Sequence, residues 1–305
     1  KIFIKMKHVG VITGATGYIG SHLLRYLLKQ EWEIHIIAQP EFGYSNIEDV
    51  KDQIHIIEYE YNINDLALFF QRVNPEVVFH LASAVITNYK PEQIPCLIQS
   101  NIQFGTEVLE AMKTSQTRLF INTGSYWQNY NSDIYNPVDL YAATKEAFEK
   151  MLQFYVDAYD YRVITLRLFD VYGEDDKRPK LLNILKSIAG TDKSLDVSPG
   201  EQLLDMVHIS DVCHAFLKTF ENLEEDKSLK NEVWGVYTGD QLKLKSIVAL
   251  FEKTIGKKIC VNWGKKCYKK REIMKPIESY QKVPGWNAEI NIGMGLARLS
   301  DKDLI

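Results

Sequence analysis

Tyr141 and Lys145 stand four residues apart. On a helix that spacing puts a phenol and an ammonium on one face, about 5–6 Å from each other. A phenol titrates near ~10, too high for easy proton transfer at neutral pH. A neighbouring ammonium, or the positive ring of an oxidised nicotinamide, favours phenolate and lowers that value. The pair could then pass a proton to or from a carbonyl oxygen. Taken alone, the same two residues also describe an ordinary exposed helix turn. A second group is Gly14-Ala15-Thr16-Gly17-Tyr18-Ile19-Gly20. One glycine permits a tight turn, another lets backbone approach a pyrophosphate, and a third lets helix and strand pack closely. A helix N-terminus there offers free N–H groups and a positive dipole end to phosphates.

Both groups need elements to hold them. Val9-Gly10-Val11-Ile12 is an apolar run directly before the glycines, and Ile19, Leu23, Leu24, Leu27 and Leu28 form one helical face directly after them. That strand–turn–helix context predicts a bound dinucleotide. Further β-branched runs lie at Ile34-His35-Ile36-Ile37, Ile54-His55-Ile56-Ile57, Val77-Val78-Phe79-His80, Leu119-Phe120-Ile121 and Val163-Ile164-Thr165-Leu166. Helical patterns such as Leu66, Phe69, Phe70 and Val73 fall between them. Continuous apolar strands alternating with helices predict an α/β fold with a doubly wound parallel sheet covered on both faces. After Leu168 the rhythm breaks. Residues 173–179 and 192–200 read as loops, and Ile247, Leu250, Phe251 and Ile255 as a helix with Gly256 at its C-cap. Lys265, Lys266, Lys269, Lys270 and Arg271 form a basic stretch, either a solvated loop or a site for phosphates. This predicts a smaller C-terminal substrate-binding domain, with 1–170 and 206–238 holding the dinucleotide and 171–205 and 239–305 covering the substrate.

The chain has 305 residues, 46% hydrophobic and 25% charged, with net charge −4. That length suits about two domains and a core that needs no staple. The charge offers no bulk attraction to nucleic acid or to an anionic membrane. No apolar run reaches about 18 residues, so no membrane span is expected. No secretory signal is read at the N-terminus, where Met6 is a candidate for the natural start. Cys260 and Cys267 lack the paired spacing of a zinc site, and with Cys96 and Cys213 they are expected to be reduced in the cytoplasm. No metal site is expected: His22 has Tyr26 at i+4, and His208 reads as a packed strand residue. Asp205 and Asp211 read as structural, Asp211 as the cap of a helix over 212–220.

Seven motifs in order resemble the extended short-chain dehydrogenases/reductases. The glycines have Gly-x2-Gly-x2-Gly spacing. His80-Leu81-Ala82-Ser83 is similar to a His-Leu-Ala-Ala turn. Asn101 with Gly105-Thr106, Asn122-Thr123-Gly124-Ser125, and Tyr141-x3-Lys145 follow. Arg167-Leu168-Phe169-Asp170-Val171-Tyr172-Gly173 resembles Arg-x2-Asn-Val-Tyr-Gly, and Gln202 to Asp211 resembles Gln-x-Arg-Asp-Phe-Val-His-Val-x-Asp. The resemblance implies a Rossmann sheet and a catalytic set of Ser125, Tyr141 and Lys145. It implies cofactor contacts from Gly14, Thr16, Gly17, Tyr18, Ile19, Gln39, Asn62, Ile63, Leu81, Ala82, Ser83, Asn101, Thr123, Tyr141, Lys145 and Leu168. It implies substrate contacts from Ala84, Ser125, Tyr126, Asp170, Leu182 and Arg271, with Lys177, Arg178 and Lys180 in support. It also implies a homodimer through helices over 101–112 and 141–155, with Ala147, Phe148, Met151, Leu152 and Tyr155 supplying apolar surface.

Three departures sharpen the reading. Gln39 stands where NAD enzymes of this kind place a carboxylate on the ribose. It repels no 2′-phosphate, which favours NADP(H) and leaves NAD(H) open. Tyr126-Trp127 follow Ser125, where 4,6-dehydratases carry an Asp-Glu pair. Leu204 replaces a phosphate-binding Arg, while Arg271 matches another. The chain is most similar to reductases of nucleotide-linked 4-keto-6-deoxyhexoses, the subgroup that makes sugars such as CDP-abequose or dTDP-fucose. A 4-epimerase with tightly held NAD is the alternative, and a non-catalytic NADP-binding regulator a second one.

Overall fold

Strands that are apolar on both faces must be covered on both faces. The computed structural model, which describes residues 7–301, does this with two helical layers. The strands are β1 Val9–Thr13, β2 Glu33–Ala38, β3 His55–Glu58, β4 Val77–His80, β5 Leu119–Ser125, β6 Arg162–Leu168, β7 Asp170–Tyr172, β8 Ser194–Asp196, β9 Leu203–His208, β10 Asn231–Val236, β11 Gln241–Lys243 and β12 Cys260–Asn262. The helices are α1 Tyr18–Lys29, α2 Ile63–Val73, α3 Ile94–Ile98, α4 Phe104–Met112, α5 Leu140–Tyr159, α6 Leu181–Ile188, α7 Ile209–Glu225, α8 Leu244–Ile255 and α9 Ile292–Asp301. The candidate start at Met6 lies outside the described residues.

Seven strands form one parallel sheet in the order β3-β2-β1-β4-β5-β6-β10. The sequence runs named above are six of these strands; β10 is the seventh. Leu23, Leu24 and Leu27 of α1 pack with Val212 and Phe216 of α7 in one core, against Ile12, Ile34 and Ile36. Leu66 and Phe70 of α2, Val108 of α4 and Phe148 and Leu152 of α5 fill the other, against Val11, Val78 and Phe120. A third core joins Leu182 and Leu185 of α6, Ile247 and Phe251 of α8, and Leu296 of α9. Around it lie two small sheets, β11-β9-β7 and β12-β8. Ile273, Val283 and Trp286 pack into the first core instead. Gly256 does close α8, in the left-handed region at φ +64°.

Two expectations are corrected. Helix α7 begins at Ile209, and its cap is His208, whose Nδ1 accepts from the Ser210 amide at 3.3 Å. Asp211 therefore sits inside the first turn, where its carboxylate accepts from the amides of Glu289 and Ile290. The helix expected over 101–112 is broken: a π-helical turn, Gln99–Gln103, joins α3 to α4. Such turns are frequent at functional sites.

Candidate active site

Strand order reverses between β1 and β4, which is where an open α/β sheet leaves a crevice for ligands. A cleft of about 380 Å³ opens there at the carboxyl ends of the strands. Gly14 leaves β1 at φ +72°, and a Cβ on it would come within 2.6 Å of the Ala82 amide nitrogen. A Cβ on Gly20 would overlap the Gly14 carbonyl oxygen. Gly17 caps α1 without a side chain, so no capping side chain occupies the first N–H groups of the helix. Thr123 Oγ1 faces this region buried and without a hydrogen-bond partner. A cradle of bare amides with one unpartnered hydroxyl fits a dinucleotide.

Tyr141 and Lys145 line the cleft from the first turns of α5. Asp139 caps that helix, accepting from the Ala142 amide at 2.9 Å. The Tyr141 pKa is raised, not lowered as expected from Lys145. Burial first, and then the Asp139 carboxylate, push it up to about 12; the Ser83 hydroxyl and Arg178 pull more weakly the other way. The protein alone thus holds a protonated phenol in the cleft. Burial pushes Lys145 down to about 8, against the attraction of Glu149. Ser125 ends β5, and its Oγ accepts from the Trp127 amide at 3.2 Å. That bond leaves the hydroxyl proton free to donate into the cleft.

The profile of the NAD dependent epimerase/dehydratase family matches residues 11–234. The chain belongs to that family. It is 29% identical to a CDP-abequose synthase of Salmonella muenchen over 295 residues, 95% of this chain and 96% of the relative. It is 26% identical to a CDP-abequose synthase of Yersinia pseudotuberculosis, covering 90% and 93%. Its fold is that of a UDP-glucose 4-epimerase from Thermotoga maritima, with TM-score 0.84 and 22% identity over 97% of this chain and all of that one. A UDP-glucose 4-epimerase from Brucella ovis in complex with NAD gives TM-score 0.82 at 19% identity, covering 97% and 98%.

In an enzyme of this family the bound nicotinamide supplies or takes a hydride. Within this chain, Ser125 and Tyr141 each bring a hydroxyl to the cleft, and a protonated phenol is a group that can act as a general acid. Gly14, Gly17, Tyr18, Ile19, Leu81, Ser83, Thr123, Ser125, Tyr126, Tyr141, Lys145, Leu168 and Asp170 all line the one cleft. Arg178 and Lys180 line it too, whereas Lys177 reaches Asn46. Tyr126 donates to Asp170 at 2.8 Å, and burial raises the Asp170 pKa.

The other expected residues lie outside that lining. The Thr16 carbonyl accepts from Asn46, and Gln39 donates to the Tyr61 hydroxyl at 2.7 Å. Asn62 caps α2, whose first residue is Ile63. The Ala82 amide is tied under the glycine turn to Thr13 Oγ1. Asn101 is 1% exposed, and its amide is spent on protein. It accepts from Ser83 and the Ala84 amide and donates to the Ala84 carbonyl and Thr144. It therefore positions the loop after β4 against α5 and has no donor left for a cofactor. Leu182 lines a smaller neighbouring hollow that shares Asp170 and Lys180 with the cleft. Arg271 stacks on Tyr130 at 4.3 Å and donates to Asn136.

A supporting network escaped the sequence reading. Gln128 Oε1 accepts from the Ser125 amide at 3.0 Å and from Arg167 at 2.7 Å, while its Nε2 donates to Glu146 and Glu149. Arg167 forks onto Glu149 at the same point. The β5 end that carries Ser125 is thus tied to the helix that carries Tyr141. Arg167 was its visible signal: a charge inside an otherwise apolar strand needs a buried partner.

Proposed function

We propose that this chain reduces the C4 keto group of a nucleotide-linked 4-keto-6-deoxyhexose. Hydride would arrive at C4 from the cofactor, and Tyr141 would pass its proton to O4, with Ser125 holding that oxygen and Lys145 the nicotinamide ribose. The observation that carries this reading is the resemblance to CDP-abequose synthases along nearly the whole chain. Two features of the cleft support it. Tyr141 is a phenol at neutral pH, as a proton donor to a ketone must be. Tyr126 and Trp127 occupy the place of a dehydratase's carboxylates, and the one carboxyl group in the lining, Asp170, is held by Tyr126. Residues 1–170 with 206–238 would hold the cofactor, and 171–205 with 239–305 the nucleotide sugar, with Arg271 and Leu182 reached as the substrate fills the cleft. Such a reaction belongs to cytoplasmic synthesis of surface-polysaccharide sugars. All four cysteines are free, and no described helix is long and apolar enough to cross a membrane. Incubation with CDP-, dTDP-, GDP- and UDP-linked 4-keto-6-deoxyhexoses should show NADPH oxidation with one of them. A protein that purifies with tight NAD, interconverts 4-epimers and oxidises no NADPH would be an epimerase instead.

The cofactor reading is NADP(H) over NAD(H), because Gln39 brings no negative charge to the ribose. Gln39→Asp is expected to shift kcat/KM toward NADH by about tenfold, the worth of one charge-assisted hydrogen bond. A parent enzyme that strongly prefers NADH would remove this assignment.

The proposed partner in solution is a second copy. Phe148, Leu152 and Tyr155, expected at the interface, are buried in the protomer's own core, because α5 turns that face to the sheet. Met151 and Phe154 are the large apolar residues α5 leaves exposed, and Ile94 and Ile98 are those of α3, which packs on α5. A dimer is expected by light scattering, with Phe154→Asp shifting it to monomer. A monomeric parent at micromolar concentration would refute the interface.

A further inference from the structure

The outer edge of the sheet gathers a set of side chains that the cleft does not use. Glu33 and His35 lie two apart on β2, so the pleat puts them on one face. His55 on β3 pairs in register with His35, on the same face. The two imidazole rings are 4.5 Å apart, and His35 Nε2 is 3.1 Å from Glu33 Oε1. One ligand atom from each of the three residues lies within 4.8 Å of the others. Both histidines border a surface hollow whose far wall, from α2, includes Asp65, Phe69 and Arg72.

Two imidazoles and a carboxylate are the donor set of a borderline divalent ion. Calcium and magnesium take all-oxygen sets, so they fit poorly. We propose that Glu33, His35 and His55 bind Zn²⁺ and clip β2 to β3. This sets aside the expectation that the chain has no metal site, which rested on spacing along the chain and missed a pairing across two strands. His35 is seated by contact with Phe69, at 5.7 Å between rings. The two imidazoles stack at 23°, so binding a shared ion requires the exposed His55 ring to turn out of the stack. Three protein ligands leave a fourth position for water. Arg72 across the hollow opposes a cation and keeps the affinity moderate. The site lies toward the amino ends of its strands, away from the cleft, so its effect is on the sheet edge and is independent of the proposed reaction.

The test is calorimetric titration of the chelator-treated full chain with Zn²⁺, and with Co²⁺ followed by its visible spectrum. One equivalent should bind with Kd in roughly the micromolar range and raise the melting temperature. His55→Ala and Glu33→Gln, both at exposed positions, should each weaken binding about tenfold or more and remove the tetrahedral Co²⁺ bands. Neither should disturb the melting of the metal-free protein. Absence of binding, or binding that survives both substitutions and is lost on alkylating the exposed Cys96 and Cys267, overturns the site.

Discussion

Tyr141→Phe is expected to lower kcat by about 10²–10⁴-fold, the usual contribution of a positioned general acid. The substitution removes one oxygen from a side chain that lines the cleft beside Lys145 and Ser125. Cofactor affinity should stay within a factor of a few, because the glycine cradle and Lys145 are untouched. With the phenol pushed up to about 12 by burial, the proton is in place before substrate arrives, and losing it removes the donor itself. Single-turnover rates with saturating cofactor separate this from a binding defect. Turnover within a factor of a few of the parent would take Tyr141 out of the chemistry.

Arg167→Ala should cost about 3–5 kcal/mol of stability, the penalty for stripping one partner from a buried ion pair. Arg167 is 5% exposed, forks onto Glu149, approaches Glu146 at 3.5 Å and lies under the Tyr280 ring. Without it Glu149 and Glu146 lose their shared guanidinium, leaving Glu149 the Gln128 amide and Glu146 that amide and the exposed Lys150. Arg167→Met combined with Glu149→Met should recover much of the loss, since an apolar replacement of the pair leaves less charge uncompensated. Urea unfolding of the three proteins measures both effects. A single-variant loss under about 1 kcal/mol would mean the network contributes little. Gln128 also accepts from the Ser125 amide, so the stable double variant should still show a reduced kcat.

Residues 9–13 and 77–79 are legible as strands because their side chains are apolar or β-branched, a local property that burial on both faces demands. The glycine turn is legible for the same reason: φ +72° at Gly14 and the tight contact at Gly20 are requirements of one short segment. The Tyr141 and Lys145 pairing follows from helix geometry, and the order of the motifs along the chain placed them in one family. What those residues feel was decided elsewhere. The Tyr141 pKa moves up, opposite to expectation, because the surrounding protein removes water from the phenol, and no spacing rule measures that. Asn101 looked like a cofactor contact until two other segments, the loop after β4 and α5, claimed its amide. Phe148, Leu152 and Tyr155 looked available for an interface until the sheet covered them. Gln128 gave no sign of itself, since its four partners come from β5, α5 and β6. The amino-acid sequence by itself determined which segments become strands and helices and which chemical groups they carry, because those follow from interactions a few residues long. Only the tertiary structure decided burial, hydrogen-bond ownership and charge environment, because each is a sum over atoms far apart in the chain.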